Sequence, residues 1–195
     1  MNYYISDTHF GHKNVIRFDN RPFSSVDEMD EEIIKRWNDT VKTDDVVYVL
    51  GDFSFYKEEK TLEILDRLNG KIVLIKGNHD KISPKIAKKL SGRYDYLEIK
   101  DNGQKVILSH YPMPFWNGQF RGSVHLFGHV HNSHQHNYCL SIREELKQLQ
   151  DIQMRMINVG CMMEWMDYTP RDIDYILQYS NTRKVDGVIK HDPRT

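Results

Sequence analysis

Five short fragments of this chain carry residue types that hold divalent metals. They are Asp7-Thr8-His9, Gly51-Asp52, Gly77-Asn78-His79-Asp80, Ser109-His110 and Gly128-His129-Val130-His131. Carboxylate oxygen and imidazole nitrogen suit Mn, Fe, Zn, Ni or Co better than Ca or Mg. One such fragment says little, because a lone histidine after a strand is usually a hydrogen-bonded core residue. Together they say more, since each follows an apolar run that reads as a strand. Glycine precedes three of them, which lets the backbone turn sharply beneath an ion. In sheets with helical crossovers, ligands gather where strands end and loops begin.

The elements that must position these fragments follow from periodicity. Residues 3–6, 46–50 and 72–75 are short β-rich runs, the last two with the continuous apolar character of strands buried on both faces. Between them lie two helical patterns. The first has Ser25 and Glu28 as a capping box and Met29, Ile33, Ile34 and Trp37 on one face; the second turns Leu62, Leu65 and Leu68 inward and stops at Asn69-Gly70. Ser83-Pro84 opens a short helix. This β-α-β-α-β order predicts parallel strands. The pattern then changes. Residues 96–100 and 105–108 flank the hairpin signal Asp101-Asn102-Gly103, and residues 124–127 and 156–159 read as further strands. Residues 141–150 read as a helix capped by Ser141 and Glu144, and Thr169-Pro170 opens a last one through Leu177. Residues 9–26 read as irregular, and the chain from Asn181 as a polar tail on a single domain spanning 1–180. The expected architecture is α/β, a pair of mixed sheets covered by helices.

Composition narrows the function classes. A formal net charge of -1 on 195 residues advertises no basic surface for bulk nucleic-acid binding. No apolar run approaches the roughly 20 residues of a membrane helix. With Asp7 already in the candidate site, no leader is expected, and the cytoplasm is the expected location. Cys139 and Cys161 form no CxxC pair and read as small buried hydrophobes.

The series Asp7-x-His9, Gly51-Asp52, Gly77-Asn78-His79-Asp80, His110 and Gly128-His129-x-His131 resembles the signature of the calcineurin-like metallophosphoesterase superfamily, complete and in order over residues 7–131. The stretch from Asp7 to His12, with Arg21-Pro22-Phe23, is similar to its small, capless bacterial and phage branch. The resemblance implies a four-layer α/β/β/α sandwich and two divalent ions, with Mn the first choice. It implies that Asp7, His9 and His131 hold one metal, that Asn78, His110 and His129 hold the other, and that Asp52 bridges them. It also implies a phosphohydrolase or phosphodiesterase in which hydroxide formed between the metals attacks the phosphate in line and His79 protonates the leaving alkoxide. Asp80 is expected to orient that imidazole, and Asn78, as a neutral ligand, to keep its metal electrophilic.

Beyond the signature, His12 reads either as a substrate contact or as a solvated loop residue. Arg21 reads either as a phosphate clamp or as a partner of Asp19 or Asp27, the second being favoured. Asn117, with Tyr111 and Trp116, falls in a loop after His110 that could rim the substrate, Trp116 more by packing. His125 reads as packing or supporting a ligand, and His134 and His136 as solvated. Met162, Met163, Trp165 and Met166 read as core or as the surface of a homodimer.

Gly51-Asp52 is followed by Phe-Ser-Phe and not by the Val-Asp-Arg-Gly of Ser/Thr protein phosphatases. With no cap insertion and no basic stripe, a small phosphate ester of nucleotide or cyclic-nucleotide type is the expected substrate. Two other classes fit the sequence less well. A silent scaffold on the same fold, like the retromer subunit of the superfamily, fits poorly with a complete ligand set. The metallo-β-lactamase type needs a His-x-His-x-Asp-His cluster that this chain lacks.

Overall fold

A computed structural model of the protein describes residues 1–150 and 154–180. The polar tail expected from Asn181 lies outside the described residues.

Two four-stranded sheets organise the chain. The first contains β1 (Asn2–Ile5), β2 (Val46–Val49), β3 (Lys71–Ile75) and β4 (Gly92–Tyr94), in that spatial order and all parallel. The second runs β5 (Tyr96–Asp101), β6 (Gln104–Ser109), β7 (Val124–Phe127) and β8 (Arg155–Asn158). Only its β5–β6 hairpin is antiparallel. The first sheet has antiparallel character only at the isolated bridge between Tyr4 and Arg171. β4 was not expected: Gly-Arg-Tyr has neither alternation nor length, and it is a strand because β3 offers it a free edge.

Side-chain alternation divides the core. On β6 and β7, Val106, Leu108, Val124 and Leu126 join one large cluster with Tyr4, Ile5, Val47, Val49 and Leu74 of the first sheet. Ile107 and Phe127, one residue out of phase, face the other way. They pack with Val130, Cys139, Met154 and Met156 beneath α5 (His134–Gln150). The sheets therefore stack face to face with helices outside, the four-layer arrangement. Tyr4 ties them further by donating from its hydroxyl to Asp101 at the hairpin, 2.6 Å away.

The helices form for local reasons. In α2 (Val26–Thr40) the Ser25 hydroxyl accepts from Glu28 N, and Met29, Ile33, Ile34 and Trp37 are buried on one face. α3 (Glu58–Arg67) buries Thr61, Ile64 and Leu65, and Ser83 caps α4 (Pro84–Lys89). Three boundaries differ from the sequence reading. Residues 9–26 include a short helix, α1 (Lys13–Phe18), which buries Val15 alone and so leaves no periodic trace. α5 starts seven residues before Ser141. Its first turn is held by the Ser133 hydroxyl, which accepts from Gln135 N, whereas Ser141 bonds back to Tyr138 O. The earlier start buries His136, expected to be solvated, beside Asn158 and Trp165. α6 (Ile173–Ser180) begins beyond Thr169-Pro170, with Asp172 accepting from Tyr175 N.

Met163 and Met166 are core, with Met162 and Trp165 packed against them. Both cysteines are buried and free. Among the described residues no helix is long and apolar enough to cross a membrane.

His125 is fully buried on the outer face of β7. Its Nε2 accepts from Met113 N at 3.0 Å and its Nδ1 faces Ile107 O at 3.3 Å. Together these partners require the neutral ring, and burial pushes its pKa down to about 4. The unfolded chain takes up this proton near pH 6.5, so the histidine costs stability as pH falls from about 6.5 to 4. The expected outcome for His125→Gln, which keeps one donor and one acceptor, is a flatter fall in urea midpoint across that window in metal-free protein. A slope identical to that of the parent would refute the assignment.

Candidate metal centre

The carboxyl ends of β1, β2, β3, β6 and β7 meet at one end of the sandwich. β1 and β8 also pinch together there. Ser6 N donates to Val159 O at 2.9 Å, and Cys161 N to Ser6 O at 2.8 Å. This closure brings the Asp7 loop against the Gly128–His131 loop. His129 N donates to both Asp7 oxygens, at 3.2 and 3.1 Å.

Two ligand groups result. Asp7, His9 and His131 converge in one, and Asp52, His110 and His129 in the other. Asp52 lies between them: its Oδ2 is 3.8 Å from His9 Nε2 and 3.6 Å from His110 Nε2. Its Oδ1 accepts from His79 N at 2.9 Å. Asn78 Oδ1 stands 3.0 Å from His110 Nε2, which puts it with the second group.

Tautomers follow from the hydrogen bonds. His110 Nδ1 is 2.7 Å from Leu50 O, which can only accept. In the neutral ring, Nε2 therefore carries a lone pair, facing Asn78 Oδ1 and Asp52 Oδ2, which are acceptors too. His131 repeats the pattern: Nδ1 donates to Asp19 at 2.8 Å, leaving Nε2 3.5 Å from Asp7 Oδ1. His9 Nε2 is buried without a hydrogen-bond partner, 3.9 Å from Asp7 and 3.8 Å from Asp52. Donor atoms converging at such separations could hold cations between them, with ligand bonds of about 2.0–2.2 Å. The donor set thus fits the two metals that the sequence implies.

The charges of these groups are set by burial and by one another. Burial would raise Asp7, but the nearby His9, His131 and His110 rings hold it well below the usual carboxylate range. Burial pushes His9 down to about 4, so its ring is neutral near pH 7. Burial also lowers His129. Burial works against a proton on His131, but Asp19 and Asp7 outweigh it and raise the group.

The backbone is strained where it holds the candidate ligands. Asp7, His9, Asp52, His129 and His131 all have left-handed φ, between 47° and 68°. Such conformations cost about 1–3 kcal/mol each and persist when neighbours over-determine them. Here Asp7 N donates to Gly51 O and His9 N to Asp52 O, both at 3.0 Å, and Asn158 Nδ2 holds His131 O at 2.9 Å. The glycines are required mainly for space. A Cβ on Gly51 would strike His110, one on Gly77 would strike Asp52, and one on Gly128 would strike Ser6 and Asp7. At Gly51 a φ of +89° adds a conformational reason.

His79 is exposed and lines a cavity of about 500 Å³ together with His9, His12, Asp52, His129 and His131. The roles expected of Asp80 and Asn117 need correction, and Arg21 takes the favoured partner, Asp19, in place of a phosphate. Asp80 does not orient His79; its buried carboxylate accepts from Asp52 N, Phe53 N and Gly77 N at 2.8–2.9 Å and shapes the loop under Asp52. Arg21 cannot clamp a phosphate. It is buried, its Nη2 and Nε bind Asp19, and its two terminal nitrogens donate to Asp7 O and Thr8 O. Asn117 lies outside the cavity, bonded to Glu98. Trp116 packs, with its Nε1 on Ser123 Oγ.

Three residues were missed. Asp19 orients His131, Asn158 fixes that ligand's backbone, and Phe55 stacks on the histidines. Asp19 was visible only as an arginine partner, and no local pattern marks the other two.

Comparison with known proteins finds relatives along most of the chain. An uncharacterised protein of Methanocaldococcus jannaschii is 37% identical over 185 residues, covering 94% of this chain and 93% of its own. The Gene 66 protein of Mycobacterium phage D29 is 29% identical, covering 87% and 92%. A protein of unknown function from Aquifex aeolicus, known as a crystal structure, superposes with a TM-score of 0.69 at 27% identity, over 92% of this chain and 98% of that one. The calcineurin-like phosphoesterase profile matches residues 3–152, and this chain belongs to that family.

Proposed function

We propose that the protein hydrolyses phosphate esters at a dinuclear metal centre. The observation that carries this reading is the buried Asp52 carboxylate set between two ligand groups, with the partnerless His9 Nε2 facing it. Asp7, His9 and His131 would hold one ion, and Asn78, His110 and His129 the other, with Asp52 shared. Manganese is the favoured metal, with Fe, Zn, Ni or Co as alternatives. When bound, the ions supply Lewis acidity, making water a competent nucleophile near neutral pH and drawing charge from the phosphoryl oxygens.

The chain's own residues do the rest. Asp19 holds the His131 ring through Nδ1, and Leu50 O holds His110 likewise, so both present Nε2. Asp80 fixes the backbone that aims Asp52. His79 is the proton donor to the leaving alkoxide. Its backbone is tied to Asp52 through N–H···Oδ1, while its ring is free to reach the cavity. His12, half-buried with Nδ1 3.2 Å from His9 Nδ1, borders the same space. The favoured substrate is a small ester of nucleotide or cyclic-nucleotide type.

His79→Ala is expected to retain two metals by elemental analysis and lose at least about 100-fold in kcat on bis-p-nitrophenyl phosphate. Parental kcat would place the acid elsewhere. Asp19→Asn is expected to weaken metal affinity about 10- to 100-fold by titration calorimetry. Unaltered affinity would mean that Asp19 serves only its ion pair with Arg21.

A further inference from the structure

The cavity beside the metal centre has an apolar side that the hydrolytic chemistry does not use. Phe18 and Phe55 both line it, and each remains 38% exposed. They are joined through His12. The Phe55 ring stacks on His12 at 4.1 Å and 10°, and Phe18 meets His12 edge-on at 6.4 Å and 71°. Phe55 also lies 4.9 Å from the ring of His79. Val15 and Val130 continue the lining. Among the described residues, none of those lining the cavity is Lys or Arg.

These placements have a joint meaning. A cavity of about 500 Å³ falls within the usual range for small-molecule sites, about 300–1,000 Å³, and exceeds what a phosphate group fills. Partly exposed aromatic surface beside a polar centre is what an apolar ring would cover. The shelf adjoins His79, so it borders the side on which a leaving group is protonated. The Arg17 guanidinium lies over the Phe18 ring, 5.3 Å from its centroid, at the outer end of this side.

We infer that Phe55 and Phe18, bridged by His12, form a shelf that seats an aromatic-ring-bearing leaving group beside His79. The inference rests on the proposed esterase activity and names the kind of ester. Stacking on a protein aromatic contributes about 5- to 150-fold in binding.

The test compares calorimetric affinities of benzylphosphonate and methylphosphonate for the metal-loaded protein, with hydrolysis of p-nitrophenyl phosphate and its bis-ester measured in parallel. The parent is expected to bind the benzyl compound at least about 5-fold more tightly. Phe55→Leu is expected to reduce that preference, and Phe55→Tyr to restore it. Phe18→Leu reads the same ratio from the other end of the shelf should Phe55→Leu fail to fold. An active parent without benzyl preference, or one whose preference survives both leucine variants, overturns the shelf and leaves the esterase reading standing. Absence of turnover on either ester, with no affinity for methylphosphonate, removes the esterase reading and the shelf with it.

Discussion

A carboxylate with no solvent exposure sits where the two sheets close, and much of the surrounding structure answers to the cost of burying it. Removing a charge from water costs several kcal/mol even after relaxation. Asp7 meets that cost with two hydrogen bonds from His129 N and with three histidine rings around it. The arrangement needs β1 and β7 side by side at their ends, so it needs the pinch through Ser6, Val159 and Cys161. Its carbonyl is used as well, accepting from Arg21 Nη2 and Cys161 Sγ. A residue 14 positions along the chain and another 154 positions along thus hold the same peptide unit.

Arg21 shows how one buried charge calls for others. Its guanidinium holds the Asp7–Thr8 backbone from behind, and Asp19 neutralises it. Asp19 in turn accepts from His131. An arginine that could have been a substrate clamp becomes the back wall of the centre. Its planar fork suits this role because it satisfies two carbonyls and a carboxylate at once. Asp80 does similar work under Asp52, collecting three backbone N–H groups with one side chain.

The strained backbone has the same logic. Five candidate ligands sit in left-handed conformations that non-glycine residues rarely adopt. A sandwich tolerates this at one end because its core is continuous elsewhere, from Trp37 and Met29 to Leu126 and Ile157. Stability held in that core lets the loops keep geometries set by ligand direction and not by backbone preference. The result is a rigid polar rim against the apolar ring of Phe55, two environments within one cavity.

The sequence by itself determined the strands, the two-layered order of the chain and the fragments that form the centre. Hydrophobic runs ending on Asp7, Asp52, Asn78, His110 and His129 are local signals, and local signals can be read without a partner. Short elements were lost for the matching reason: α1 buries one residue, and β4 exists only because β3 has an edge for it. The helix beginning at His134 was misread because Ser141 and Glu144 imitate a cap where none is needed. Tertiary structure alone decided what each polar side chain near the ligands does. Asp80, Arg21 and Asn117 have residue types that suit chemistry, yet their partners are backbone groups or charges brought near by folding. Asp19, Phe55 and Asn158 became visible only through contacts with His131 and His9. A side chain's role depends on which unsatisfied group lies within about 3 Å of it, and that distance is set by the packing of the sheets and not by spacing along the chain.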